Sequence, residues 1–280
     1  MTENHDLYIS YSSKKAYLTC PRQYWYMYVS KEKGEFDAKN SLFGNSIGKL
    51  FEWFYNKKLW IKSDVKQHLI RSIEIALDES AGKDNFDLKS DLEFKAKITQ
   101  ELQDCVISTL EIIRKYKLIA PVSNAEVKLN TIFKTKDLIL KLGGRADFVH
   151  YFDKNNIWIL DGKGSKHREK YIDINQLVWY AVQHYLKYHI VPNRLGFIFY
   201  KFPQDPITWI SLTDQLMRSV LDETVSISKQ IISKQFSTTP SVSCRNCPFK
   251  SKCNDGQKFL SNRKNHDGPV TSGIFDLEMV

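Results

Sequence analysis

The 280-residue chain has no apolar run approaching the roughly 20 residues that span a bilayer. Its first ten residues, MTENHDLYIS, lack the basic region and following apolar stretch of a secretory signal. Together these absences predict a cytoplasmic protein. Cysteine is scarce as well, with five in the chain. In a reducing compartment such thiols do not make a disulfide framework, so they are free thiols or ligands. There is no internal repeat, no low-complexity tract and no Gly-x-x-x-x-Gly-Lys-Ser/Thr, which excludes a P-loop nucleotide motor. Acidic side chains are the minority: 32 against 41 Lys and Arg, a formal charge of +9. A basic excess of this size points to a polyanionic partner, most often nucleic acid.

With 42% hydrophobic and 26% charged residues the chain has the composition of an ordinary globular protein with a real core. The pattern along it changes period four times. Residues 8–29 open on a Ser-rich cap and continue as an aromatic-studded helix. Helical spacing follows over 41–60 and 66–79. Over 88–117, Leu92, Phe94, Ile98, Leu102, Val106, Leu110 and Ile113 recur every three or four residues, as on a long amphipathic helix. The period then shortens, predicting strands at 124–135, 138–151 and 156–161, with a turn at Lys136-Asp137. Helical spacing returns over 173–189, strands over 194–201 and 207–211, and a helix over 214–234. This order predicts a mixed α/β fold. Residues from 256 onward are polar and aperiodic and read as a loose tail.

The chemistry gathers at Ile157-Trp158-Ile159-Leu160-Asp161-Gly162-Lys163. Four apolar residues predict a buried strand, yet it ends on two opposite charges. Asp161 and Lys163 stand at i and i+2, so they share a strand face, with Gly162 between them on the other. Asp147 lies fourteen residues earlier in GGRADFVHYF, far enough for an antiparallel neighbour to bring it to the same sheet edge. Two carboxylates and the Gly162 carbonyl are hard oxygen donors suited to Mg²⁺ or Mn²⁺. A lysine beside them can orient or deprotonate a water for attack on a phosphodiester. A plain surface Asp–Lys pair is the competing reading of these three residues alone.

A second constellation is Cys244, Cys247 and Cys253, spaced C-x₂-C-x₅-C in SCRNCPFKSKC. Three thiols this close share a metal or a cluster, and a closed site needs a fourth ligand. Cys20, in YLTCPRQYWYMY, is the candidate. All-sulfur ligation suits zinc and iron–sulfur clusters alike. Cys105, among apolar neighbours of the long helix, reads as a buried inert thiol.

Asp147 followed by Asp161-Gly162-Lys163 resembles the PD-(D/E)XK nuclease pattern. The next helix carries Gln176 and Tyr180, and Gln-x-x-x-Tyr at this distance resembles the RecB-like branch. Residues four apart share a helix face, so both can brace the lysine or face the DNA backbone. Ser10-x-Ser12 and Tyr17-x-x-Cys20-Pro21-x-x-Tyr24 resemble the cluster segment of iron–sulfur RecB-like nucleases, such as the AddB nuclease domain and the CRISPR-associated single-strand exonucleases. The resemblance runs from Ser10 to Cys253. It implies a restriction-endonuclease-like mixed central sheet flanked by helices. It also implies a [4Fe–4S] cluster on Cys20, Cys244, Cys247 and Cys253 that joins the chain ends. On this reading residues 1–255 are one nuclease domain, with a helical part at about 30–120, a catalytic core at about 121–212 and the cluster built from 8–29 with 235–255; 256–280 is the tail. The implied activity is metal-dependent DNA hydrolysis, exonucleolytic on single-stranded ends. Asp147 and Asp161 would hold the metal, Lys163 would activate the water, and Gln176 and Tyr180 would support the site.

One departure weakens the match. The branch carries Gly-x-x-x-His-x-x-x-Glu on an early helix, with the histidine a metal ligand. Here Gly44 and Glu52 are in place, but the histidine position is Gly48. Water or Glu52 would have to fill the gap, and a solvated Glu52 is the simpler reading. The rival is therefore a non-catalytic or weakly active DNA-binding or assembly module that keeps the fold and cluster. Arg145 and the basic run Lys166, His167, Arg168 and Lys170 are candidate DNA contacts, each neutralised phosphate releasing counterions. Tyr17, Tyr24, Trp25 and Tyr28 can stack on bases, though packing around the cysteine segment is the simpler role. The terminal SGIFDLEMV resembles a peptide that docks on a partner such as another DNA-processing protein, though a frayed end is the simpler reading.

Overall fold

The computed structural model describes residues 5–36, 38–83, 86–165 and 167–264. In chain order its strands and α-helices are β1 (His5–Ser10), α1 (Tyr11–Thr19), α2 (Pro21–Tyr24), α3 (Ala38–Asn56), α4 (Val65–Arg71), α5 (Ile73–Lys83), α6 (Leu92–Lys115), β2 (Val122–Lys128), β3 (Thr131–Lys134), β4 (Leu138–Gly143), β5 (Arg145–Tyr151), β6 (Ile157–Lys163), α7 (Ile174–Tyr188), β7 (Arg194–Phe199), β8 (Ile207–Ile210), α8 (Asp214–Ile232) and α9 (Asn254–Lys264). By their contacts the described residues form two compact units, one within 5–11 and 38–232, the other within 12–36 and 233–264.

The first unit holds two mixed sheets. The larger has the order β2-β5-β6-β7-β8, with β6 and β7 parallel and the other pairs antiparallel. The smaller is β1-β4-β3, with β1 parallel to β4. Strand β7 is buried over five of its six residues, as expected of a strand covered on both faces. Ala125, Phe148, Leu160 and Ile198 pack with buried side chains of α3, α5 and α6 in one core. Helix α7 packs against β6 and β7 and is itself covered by α8. A mixed sheet with helices on both sides is a mixed α/β fold.

Several elements differ from the sequence reading. The stretch 8–29 is not one helix. Residues 5–10 form β1, because Leu7 and Ile9 alternate with polar neighbours and pair with β4. Cys20 is then extended (φ −166°, ψ 114°), as the residue before Pro21 must leave the helical region. The helix read at 66–79 breaks at Ser72 into α4 and α5. Each long strand expected at 124–135 and 138–151 is two strands in two sheets. The breaks face each other: Leu129 N–H donates to the Gly144 carbonyl at 3.0 Å, and Gly144 N–H to Asn130 Oδ1 at 3.2 Å. A side chain on Gly144 would collide with Gln183, so the crossing point requires glycine.

In the second unit the early and late segments meet. Tyr17 Oη donates to the Gln235 carbonyl at 2.7 Å, and Arg22 N–H to that of Ser237 at 3.1 Å. Tyr24 stacks on Phe236, and Tyr26 on Phe249. Tyr24 packs on both Tyr17 and Tyr28; Tyr17 and Tyr24 are buried, whereas Tyr28 stays exposed. Helix α9 continues the last cysteine segment to Lys264, through residues expected to be loose; Asp255 in its first turn complements the helix dipole. SGIFDLEMV lies outside the described residues. Among the described residues no helix is long and apolar enough to cross a membrane.

Candidate active site

Antiparallel β5 and β6 pair Phe148 with Leu160, so Asp147 and Asp161 stand opposite each other one step further on. The two strands are also tied at this point by a side chain: Gly162 N–H donates to Asp147 Oδ2 at 2.8 Å. Asp161 and Lys163 share a face, and Lys163 Nζ lies 2.5 Å from Asp161 Oδ2. Helix α7 places Gln176 over both. Lys163 donates to Gln176 Oε1 at 3.0 Å, while Gln176 Nε2 donates to Asp161 Oδ1 at 2.9 Å and to Tyr180 Oη at 3.2 Å. Tyr11 Oη in turn donates to Asp173, the residue preceding α7, at 2.5 Å. The glutamine amide can meet a donor and an acceptor at once, so it fixes the lysine and the acid in one arrangement.

The match to the PD-(D/E)XK nuclease superfamily covers residues 8–254. The chain belongs to this superfamily. Membership implies nuclease chemistry and nucleic-acid binding, and the mixed sheet flanked by helices suits a restriction-endonuclease-like fold. The crystal structure of SSO0001 is similar over 91% of this chain and 89% of its own, at 14% identity and a TM-score of 0.41. Among curated proteins the chain finds no match.

The candidate site holds two buried carboxylates close together. Burial, then the neighbouring Asp161 charge, pushes the Asp147 carboxyl well above the ordinary carboxylate range. Burial raises Asp161 too, against the pull of Lys163. Burial raises the Tyr180 and Tyr200 phenols, and both acids add to it. In all four groups the largest cause is burial, which disfavours the charged form.

Asp147 and Gly162 open into a cleft that is also lined by Gly44, Gly48, Lys49 and Glu52 of α3, Lys83 of α5, Glu126, Arg145 and Tyr200. The fold thus brings Glu52 to the same cleft as Asp147. Of these, Lys49, Lys83, Glu126 and Tyr200 escaped the sequence reading. Glu126 stands opposite Asp147 in the β2–β5 register, has a left-handed backbone (φ 56°) and pairs with Arg145 at 3.1 Å. Tyr200 follows β7, and its hydroxyl lies against Gly162, where any side chain would collide with it. A non-glycine residue with positive φ is the one local oddity at Glu126, and no sequence pattern announces it.

The basic loop divides. His167 and Lys170 are exposed. Arg168 is engaged: it donates to Asp205 Oδ2 and Thr208 Oγ1, both at 2.7 Å, and lies over the Phe199 ring. It therefore anchors the loop to the β7–β8 connection. Lys166 lies outside the described residues. His150 points into the core, where its Nδ1 meets Ser123 Oγ at 2.9 Å.

Cys20, Cys244, Cys247 and Cys253 line one cavity in the second unit. Backbone N–H groups of Thr239, Ser241 and Gly256 donate to the sulfurs of Cys20, Cys244 and Cys253, each at 3.4 Å. Burial, opposed by an amide hydrogen bond from Phe249 and reinforced by the other three thiols, raises Cys247. Among the described residues no three His, Cys, Asp or Glu side chains converge closely enough to hold a single metal ion. Cys105 is buried, its Sγ 3.9 Å from the Tyr200 carbonyl.

Proposed function

We propose that this chain is a Mg²⁺- or Mn²⁺-dependent deoxyribonuclease acting as an exonuclease on single-stranded DNA ends. The observation that carries the reading is the Asp161–Gln176–Lys163 lock facing Asp147. Two buried carboxylates raised by their surroundings are a set that a dication relieves, and their oxygens are of the right hardness. Asp147, Asp161 and the Gly162 carbonyl would hold the ion, with Glu52 reaching the cleft from α3. When bound, the ion supplies Lewis-acid polarisation of the phosphate and a more acidic water. Lys163 keeps its ammonium beside the carboxylates and presents it to the attacking water or the phosphate. Gln176 holds that ammonium in place, and Tyr180 supports the glutamine. The preference for single-stranded ends rests on likeness to the iron–sulfur RecB-like branch.

For the second unit we infer a [4Fe–4S] cluster on Cys20, Cys244, Cys247 and Cys253. Three of the four sulfurs receive backbone N–H bonds, which stabilise thiolates. The four sulfurs line one cavity, and all-sulfur ligation suits a cluster as well as zinc; the cluster is favoured by likeness to the iron–sulfur RecB-like branch. Iron in the metal analysis, with an absorbance shoulder near 400 nm in anaerobically purified protein, supports the cluster; zinc in its place overturns it.

The absence of a side chain at Gly48 favours the rival reading, a DNA-binding or assembly module without strong catalysis. One experiment separates the two. End-labelled single-stranded DNA is incubated with Mn²⁺ and either the native protein or Lys163→Ala. Shortening of the labelled strand by the native protein and its loss in the variant is the expected result. Equal signal from both rules out the proposed chemistry.

A further inference from the structure

The α3 wall of the cleft carries two interior glycines that the fold does not need. Gly162, Gly144 and Gly164 sit where a Cβ would run into Tyr200, Gln183 and Phe43, so packing requires them. Gly44 and Gly48 differ. Both lie inside α3, neither has positive φ, and a Cβ on either would meet nothing within 4 Å. Glycine weakens a helix interior relative to alanine, and here no turn or close protein contact compensates. Both face the cleft that Asp147 opens into.

The same cleft has three cations from three separate elements: Lys49 of α3, Lys83 at the end of α5, and Arg145 at the start of β5. Lys49 is steadied by Glu79 at 2.8 Å and Arg145 by Glu126 at 3.1 Å. A site built on Asp147 and Asp161, with Glu52 and Glu126 nearby, repels a polyanion unless positive charge surrounds the approach. Cations spread over three elements suit a chain of phosphates better than one small anion.

Resting on the nuclease reading, we propose that this wall seats the substrate's backbone. A nucleic-acid strand lies across Gly44 and Gly48 at main-chain distance from α3, and Lys49, Lys83 and Arg145 pair with its phosphates on either side of the one presented to Asp147. The open space above the glycines is the volume of the strand.

The test is fluorescence anisotropy of a short labelled single-stranded DNA with the full chain, in Ca²⁺ and over a range of salt, alongside melting temperatures. Lys83→Ala should weaken binding and flatten the slope of log K against log salt by about 0.7 for each phosphate it no longer neutralises. Gly48→Leu should keep or raise the melting temperature yet weaken binding tenfold or more. Gly48→Ala serves if the leucine variant does not fold, with a smaller loss. Gly82→Ala, another open glycine but outside the cleft, should bind as the native protein does. Native affinity and salt slope in both Lys83→Ala and Gly48→Leu overturn the proposal. A failure of the nuclease reading looks different: Lys163→Ala then shortens DNA as well as the native protein does, whatever these binding curves show.

Discussion

Replacing Asp147 by asparagine should stabilise the protein in the absence of divalent metal while removing its response to metal. Asp147 faces Asp161 across an antiparallel pair, where opposed side chains stand about 5 Å apart. Two charges at that distance repel by roughly 3 kcal/mol at an effective dielectric of about 20. Lys163, 2.5 Å from Asp161, offsets part of this. A ceiling follows from protonation. Neutralising one carboxyl at pH 7 costs about 4 kcal/mol, at about 1.4 kcal/mol per unit above its ordinary value of 3.8. Asparagine keeps an oxygen to accept the Gly162 N–H, so the strand tie survives. The net gain should be on the order of 1–3 kcal/mol, or about 2–10 °C in melting temperature for a chain of this size.

The sign with pH is fixed. A folded carboxyl raised above its unfolded value favours folding in its protonated form. The native protein therefore loses stability as pH climbs from about 3.8 through the raised values, and Asp147→Asn removes most of that loss. Melting curves in chelator, and again in excess Mn²⁺, read both effects. Mn²⁺ should raise the native protein's midpoint and leave the variant's nearly unchanged. A variant less stable than the native protein in chelator, or equal Mn²⁺ shifts in both, refutes the reasoning.

Two further perturbations probe the scaffold. Gly162→Ala drives a methyl into the Tyr200 hydroxyl, whose ring is stacked 5.8 Å from Phe51 and cannot retreat easily; urea unfolding should show a loss of about 1–3 kcal/mol, and an unchanged midpoint contradicts the close approach. His150 is buried, has no partner for Nε2, and is pushed down by burial to about 3. Its neutral form supports the fold fully above about pH 6.5, and that support drains as pH falls toward 3, by about 2 kcal/mol at pH 5; His150→Phe should flatten the acid limb of the melting temperature against pH, and an unaltered limb rejects it.

The strand end at Asp161 and Lys163 was legible because a two-residue period fixes which side chains share a face. Gln176 and Tyr180 were legible because four residues do the same on a helix. What escaped is what no local period encodes. Glu126 reaches Asp147 by register across β2 and β5, and Tyr200 reaches Gly162 from a neighbouring strand, 38 positions later in sequence. The division of both long strands between two sheets depends on Gly144 meeting Gln183, a contact between distant elements. β1 was hidden because its alternation runs without a break into the helical serines of α1.

The lock itself bears on how a cation would enter. Both Asp161 oxygens are engaged, Oδ1 by Gln176 and Oδ2 by Lys163, whereas Asp147 spends one oxygen on Gly162 and lines the open cleft. Asp147 is thus the more accessible of the two carboxylates, and would be the one to offer a free oxygen to a dication in the cleft. At Asp161 a dication would share the carboxylate with Lys163, whose ammonium also donates to Gln176 Oε1 at 3.0 Å. Holding a metal and placing the lysine would thus be coupled through Asp161, with the glutamine bonded to both residues. That coupling gives Gln176 a reason to touch both partners, which a glutamine serving only as a DNA contact would not need.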